Sequence, residues 1–309
     1  MKVLIVCSGN VKEFNLILHH AFIYEQIEAV KQNFNIEYDV FNIVGKGILG
    51  YLGNLCNYRN KIKSFNPDVV HAHFGLSGLL ASLQRKSPVV ITFHGSDINL
   101  SNVQPFSRIA TRLSKHNIFV SSKIQKKIGV RNKYSIIPCG VNLEIFYPIK
   151  LKTAREKLNM DMEKIYILFS SNFKRVEKNS SLAFTAIDLL KMDCELIELD
   201  NRSREEVNLL LNACNLLLLT STSEGSPQVI KEAMVCNRPI VATDVGDIRE
   251  LIGDTEGCYL TSFDPDDVAK KIKLALQFET SVHASERIKN FDNNIISKKV
   301  FDIYQKVKR

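Results

Sequence analysis

Short apolar runs rich in β-branched residues recur along this chain, and longer stretches with helical spacing separate them. In the first half the runs are Lys2–Cys7, Ile36–Ile43, Asp68–His73, Pro88–Phe93, Asn117–Ser121 and Tyr134–Ile137, and the intervening stretches include His19–Phe34 and Phe106–Lys115. A strand that is apolar on both faces must be covered on both faces, and helices between such strands supply the cover. The pattern therefore predicts parallel sheets in an α/β fold. It pauses at Pro138–Pro148, a segment bracketed by prolines, and resumes with Lys164–Ser170, Cys194–Leu199, Asn215–Thr220 and Pro239–Thr243. A length of 309 residues exceeds what one hydrophobic core usually serves. Two doubly wound domains are expected, over residues 1–148 and 149–292, followed by a helix over 293–309 whose Ile295, Val300, Ile303 and Val307 share one side.

The apolar fraction of 45% and charged fraction of 24% are ordinary for a globular protein. No apolar stretch approaches the roughly 18 residues of a membrane span. The opening MKVLIVCSGN reads as a first strand rather than a signal peptide. The seven cysteines are scattered and never spaced as CxxC, which argues against disulfide and zinc frameworks and predicts a reducing, cytoplasmic setting. Charge is uneven. Residues 1–150 hold 18 Lys/Arg against 8 Asp/Glu, whereas residues 151–309 hold 23 against 25. The basic half suits an anionic partner or simply a soluble surface. Lys46, Arg59, Lys61 and Lys63 flank the apolar Ile48–Leu52, a mixture suited to a negatively charged membrane face. No nucleic-acid-binding module is present, so nucleic acid is not an expected partner.

In open parallel sheets ligands sit beyond the carboxyl ends of the strands, and four segments there carry polar chemistry. After Asn215–Thr220 comes Thr222–Pro239, in which Ser226 is suited to cap a helix and Pro227 to open it. Gln228 and Val229 would then offer first-turn amides to an anion, Gly225 would permit close backbone approach, and Asn237 would close the helix in a left-handed conformation. Glu224 stands before this helix and Glu232 about a turn and a half inside it. A phosphate between two carboxylates that accept hydroxyls would suit a nucleotide sugar; an ordinary capped surface helix is the competing reading. After Pro88–Phe93, the segment Phe93–Asp97 delivers His94 and Asp97 to a strand end, although a lone histidine is more often structural. After Lys164–Ser170, Arg175 and Lys178 could both reach a diphosphate, or belong to a solvated charge run. Asp68–Gly78 is a strand entering a Gly/Ser-containing turn. His71 and His73 share a strand face there, but no Cys or carboxylate at ligand spacing joins them, so no metal site is expected.

Together these segments resemble the family 4 glycosyltransferases, sugar transferases of the GT-B fold in which two Rossmann-like domains face each other across a cleft. The likeness spans nearly the whole chain and is strongest in Asp68–Ala81, His94–Asp97, Ile136–Pro148 and Ser221–Ile252, with Glu224-x7-Glu232 followed by Ala233-Met234 and Pro239–Gly246. The resemblance implies that a nucleotide-diphosphate-sugar binds the second domain as co-substrate, with no metal and no other cofactor. Arg175 and Lys178 would hold the diphosphate, Glu232 the ribose hydroxyls and Glu224 the transferring sugar. The amides after Gly225, from Ser226 to Val229, would assist the phosphate. His94 would approach the sugar from the first domain, where Gly9, Asn10, Gly75 and Asp97 would line the cleft. It also implies transfer of a hexose-type sugar with retention, in synthesis of a cell-surface polysaccharide or glycolipid. The acceptor would be a glycan; the basic first half suggests a lipid-linked one, with the protein at the inner face of the membrane, and a soluble phosphorylated acceptor would explain the same charge. The helix over 293–309 would cross back onto the first domain. Three departures stand out: Ser8–Asn10 lacks the Gly-rich run of many relatives, the second domain runs directly from Leu199 through Asn201–Glu206 into a helix, and Asn237 replaces the usual Gly. The shortened second domain keeps two other readings open, a nucleotide-sugar epimerase or hydrolase and a non-catalytic sugar-nucleotide-binding subunit.

Overall fold

The computed structural model describes residues 1–9, 13–278 and 284–308. Its backbone forms two sheets, and every pairing between named strands is parallel. The first contains β1 Lys2–Ser8, β2 Glu37–Ile43, β3 Val69–His73, β4 Val89–Phe93, β5 His116–Phe119 and β6 Tyr134–Ile136, in the order β2-β1-β3-β4-β5-β6. Every residue of β3, β4 and β5 is buried, so these strands are covered on both faces, and their polar members His71, His73, Thr92, His116 and Asn117 are buried with the rest. Alternate residues feed two apolar layers. Leu4, Val6, Val70, Ala72 and Ile91 join Tyr58 and Leu80 in one, and Val3, Ile5, Val69 and Val90 join Ile23 and Ile27 in the other.

The second layer is completed by the helix Asn293–Lys308, which contributes Ile296, Val300, Ile303, Tyr304 and Val307. It packs along the helix Ala21–Asn33, where the Phe34 and Phe301 rings stack with centroids 4.1 Å apart and Asn33 Nδ2 donates to Asn294 Oδ1 at 2.8 Å. The Tyr304 hydroxyl lies 2.6 Å from His71 Nδ1, and His71 Nε2 lies 2.7 Å from Thr92 Oγ1. His71 is thus a core residue with both ring nitrogens engaged, and burial pushes its pKa down to about 3. The chain divides into two units, Met1–Gly140 with this helix, and Val141–Asp292. Residues 141–148, expected to close the first domain, belong to the second unit because its groups satisfy their backbone. The Val141 amide donates to the Phe291 carbonyl at 2.7 Å, the Ile149 amide to Asn212 Oδ1 at 2.7 Å, and Phe146 is fully buried in the second core.

The second sheet contains β7 Ile165–Phe169, β8 Cys194–Glu198, β9 Leu216–Leu219, β10 Ile240–Thr243 and β11 Cys258–Thr261, in the order β11-β10-β9-β7-β8. The edge strand β11 is an addition to the expected set. It has four residues, three of them only partly buried, too short a run to register as an apolar strand. Among the described residues no helix is long and apolar enough to cross a membrane. Removing the Tyr304 hydroxyl should leave a buried imidazole nitrogen without its partner. Tyr304→Phe should therefore cost about 1–3 kcal/mol, read as a lower urea midpoint for the first unit; an unchanged midpoint would refute the role given to this contact.

Candidate functional site

The strand order of the second sheet reverses between β7 and β9, and an open parallel sheet gathers ligands at such a switch point. The loops leaving these two strands carry most of the anticipated donor residues. After β7 a short 3₁₀ turn, Val176–Lys178, ends at Asn179 in the left-handed conformation (φ 54°). The loop after β9 is stitched to it. Thr220 Oγ1 donates to the Lys178 carbonyl at 3.0 Å, and the Thr222 amide donates to the Glu177 carbonyl at 2.9 Å. This lacing brings Lys178 Nζ to 2.5 Å from Glu224 Oε1, with both side chains 12% exposed. Ser221 Oγ donates to the same carboxylate oxygen at 2.7 Å. Cation and carboxylate are thus held together at the switch point, where a diphosphate could take the lysine and a sugar hydroxyl the glutamate.

The helix Gln228–Val235 starts beside them, and Asn237 closes it at φ 54°, as expected. Its start differs from the expectation. Pro227, not Ser226, is the N-cap residue, with an extended ψ of 122°, and no side chain caps the helix. The residue before a proline avoids helical geometry, and Pro227 itself stays extended, so the helix opens one residue late. The Ser226 hydroxyl is buried with no hydrogen-bond partner among the described residues, and it lies near the Asp247 carboxyl. Gln228 and Val229 form the first turn, so their amides precede any carbonyl of this helix that could accept them. Gly225 is buried against Gly246; a β-carbon at Gly246 would lie 2.8 Å from the Gly225 carbonyl, and its φ is +58°.

Arg175 stands apart from the Lys178–Glu224 pair. Its side chain is 56% exposed and forms an ion pair with the neighbouring Glu177, an arrangement of little energetic weight. Glu232 is occupied as well: Arg204 Nη2 donates to its Oε1 at 2.6 Å. Neither Arg204 nor Asp247 was among the anticipated residues. Asp247 opens the short helix Ile248–Ile252 without capping it, and its Oδ1 is buried with no partner among the described residues. Burial raises its pKa to about 6, against the lowering effect of Lys231 and Ser226.

In the first unit the order reverses between β1 and β3. Gly9 leaves β1, with its amide bonded to Asn42 Oδ1 at 3.1 Å, while Asn10 lies outside the described residues. Gly75 and Asp97 are interior. A β-carbon at Gly75 would fall 1.9 Å from Ser107 Oγ, and the Asp97 carboxylate accepts from the amides of Gly75, Gly95 and His94 at 3.0, 2.8 and 3.2 Å. Asp97 therefore ties the loop after β3 to the loop after β4. His94 Nε2 lies 3.0 Å from His73 Nδ1, and His94 Nδ1 lies 3.7 Å from Cys139 Sγ, so both ring nitrogens face protein partners. Its ring packs between Phe22 and Phe74, with centroids at 5.0 and 4.7 Å.

The pKa of Asp247 carries a sign that can be tested. Its native value lies above its ordinary 3.8, so the native state holds the proton more tightly than the unfolded chain. The stability this contributes is complete below about pH 4 and is lost as pH rises through about 6. Asp247→Asn lacks this dependence. Its stability relative to the parent should therefore improve by about 1–3 kcal/mol between pH 4 and pH 8, measured by urea unfolding. A constant offset would contradict the buried placement of this carboxyl.

Comparison with known proteins places these features in a family. The Glycosyltransferase Family 4 model matches residues 19–145, and the Glycosyl transferases group 1 model matches residues 195–295. An uncharacterized glycosyltransferase of Methanocaldococcus jannaschii is 27% identical over 284 residues, covering 85% of this chain and 81% of the relative. The N,N'-diacetylbacillosaminyl-diphospho-undecaprenol alpha-1,3-N-acetylgalactosaminyltransferase of Campylobacter jejuni is 23% identical, covering 65% of this chain and 62% of the relative. The crystal structure of Anabaena HepE in complex with UDP-glucose is similar in fold, with a TM-score of 0.78 at 17% identity over 99% of this chain and 100% of that one. Two parallel α/β units, both halves of the family's sequence pattern and relatives along most of the chain agree: the protein belongs to the family 4 glycosyltransferases of the GT-B fold.

Proposed function

We propose that the protein transfers a hexose-type sugar from a nucleotide-diphosphate-sugar to an acceptor hydroxyl, with retention of configuration and without a metal ion, in the assembly of a cell-surface polysaccharide or glycolipid. The observation that carries this reading is the Lys178–Glu224 pair at the β7/β9 switch point beside the opening turn of Gln228–Val235. Departure of a diphosphate develops negative charge. Lys178 and the first-turn amides are fixed there before the reaction, so they can stabilise that charge without rearranging. Arg175 adds a second cation once it leaves Glu177. Glu224, released from Lys178 by the incoming phosphate, accepts a hydroxyl of the transferring sugar, and Glu232 accepts from the ribose. The UDP-glucose bound to the similar HepE structure and the diphospho-undecaprenol in the name of the Campylobacter relative support the donor and acceptor classes.

Lys178→Ala should lower kcat at least about 100-fold while the urea midpoint stays near the parent value, and the Arg175→Ala/Lys178→Ala double variant should fall further. Near-normal turnover by the double variant, measured as transfer from a nucleotide sugar, would remove the donor site from this location. Rapid donor consumption without acceptor would instead favour an epimerase or hydrolase.

A membrane-surface acceptor also fits the first unit. Leu49 is 81% exposed on the helix Gly47–Leu52, and Lys46 before it and Arg59 and Lys63 on the following helix, Leu55–Phe65, are exposed as well. We propose that this face meets the anionic cytoplasmic leaflet. The protein should sediment with vesicles containing anionic lipid and remain in solution with neutral ones, and Leu49→Asp should weaken the association. Equal behaviour with both vesicle types would exclude the idea.

A further inference from the structure

Where the second domain is short, the chain places an arginine beside Glu232. The strand β8 ends at Glu198, and after five residues the helix Arg204–Ala213 begins, held by a capping box in which Ser203 and Glu206 satisfy each other's backbone amides. Arg204 is the first residue of that helix, and the cap sets its direction. Its guanidinium lies over the fully buried Phe146 ring, 4.6 Å from the centroid, and Nη2 donates to Glu232 Oε1 at 2.6 Å. The arginine side chain is 20% exposed and the glutamate 3%. Only one carboxylate oxygen is used in this way. Glu232 Oε2 receives no hydrogen bond from the described residues.

We infer that Arg204 is a positioning residue for ribose recognition: it anchors one oxygen of Glu232 and so presents the other to the vicinal hydroxyls of a nucleotide. The inference rests on the donor-site reading above and adds the residue that gives Glu232 its aim. A long carboxylate side chain on a helix has several rotamers, and a hydrogen bond to a hydroxyl requires one of them. The stack on Phe146 immobilises the guanidinium, and the charge-assisted bond then immobilises the carboxylate. A planar fork is needed for both contacts, so lysine should serve only in part.

The test is calorimetric titration of UDP, ADP and GDP against their 2′,3′-dideoxy counterparts. The parent protein should prefer the ribose form of its nucleotide about tenfold, the size of one to two hydrogen bonds. In Arg204→Ala that preference should fall to about twofold or less, while the dideoxy form binds about as before. Arg204→Lys should fall between, and it carries the test if the alanine variant does not fold. Adding Glu232→Gln to Arg204→Ala should cause little further loss, because the two act as a unit. Equal weakening of both forms, or an intact preference in the arginine variants, would overturn the inference. A parent that binds nucleoside diphosphates but does not distinguish the sugars would overturn it while leaving the donor site standing. Failure of the parent to bind any of them would remove the donor site itself.

Discussion

A parallel sheet delivers all its strand ends to one edge, and the chemistry of this chain follows from that constraint. In the second unit β7 and β9 are hydrogen-bonded neighbours, although 46 residues separate the two loop residues Lys178 and Glu224. Their loops leave in the same direction because the strands run in the same direction. The strand order reverses there, so the helices that follow go to opposite faces and leave the ends uncovered. A lysine, a glutamate and an uncapped helix start can then meet without any of them being buried beyond the reach of a ligand. Thr220 and Thr222 convert this general placement into a specific one by bonding across the two loops.

The fold was legible because the signal was redundant. The anticipated strands of both sheets are present within one or two residues of their expected limits, since Leu216–Leu219 is apolar throughout and Val89–Phe93 is so but for Thr92, and such runs are satisfied as covered central strands. The edge strand β11 was not legible, because Cys258–Thr261 is only four residues long and three of them are only partly buried. The loop residues Glu224 and Lys178 could be placed at strand ends from their spacing. Their pairing could not, because it depends on which strands are neighbours.

Side-chain partnerships proved harder to read than backbone placement. Ser226 looked like a cap, yet the extended Pro227 takes that position. Asp97 and Gly75 looked like ligand-facing residues, but the carboxylate is consumed by three loop amides and the glycine by close approach to Ser107. Polar residues at strand ends serve two purposes, holding loops in shape and meeting ligands, and only coordinates separate them. Arg204 shows the reverse error. It sits in a segment remarkable in sequence only for being short, and its link to Glu232 spans 28 residues.

The helix Asn293–Lys308 has a consequence for biosynthesis. It fills the core of the first unit, with Tyr304 bonded to His71, yet it is translated after all of the second unit. At about 5–20 residues per second, the ribosome spends on the order of ten seconds between Gly140 and this helix. Throughout that interval the apolar layer that Val3, Ile5 and Val69 share with Ile23 and Ile27 lacks Ile296, Val300, Ile303 and Val307, so part of it stays open to water until this helix emerges.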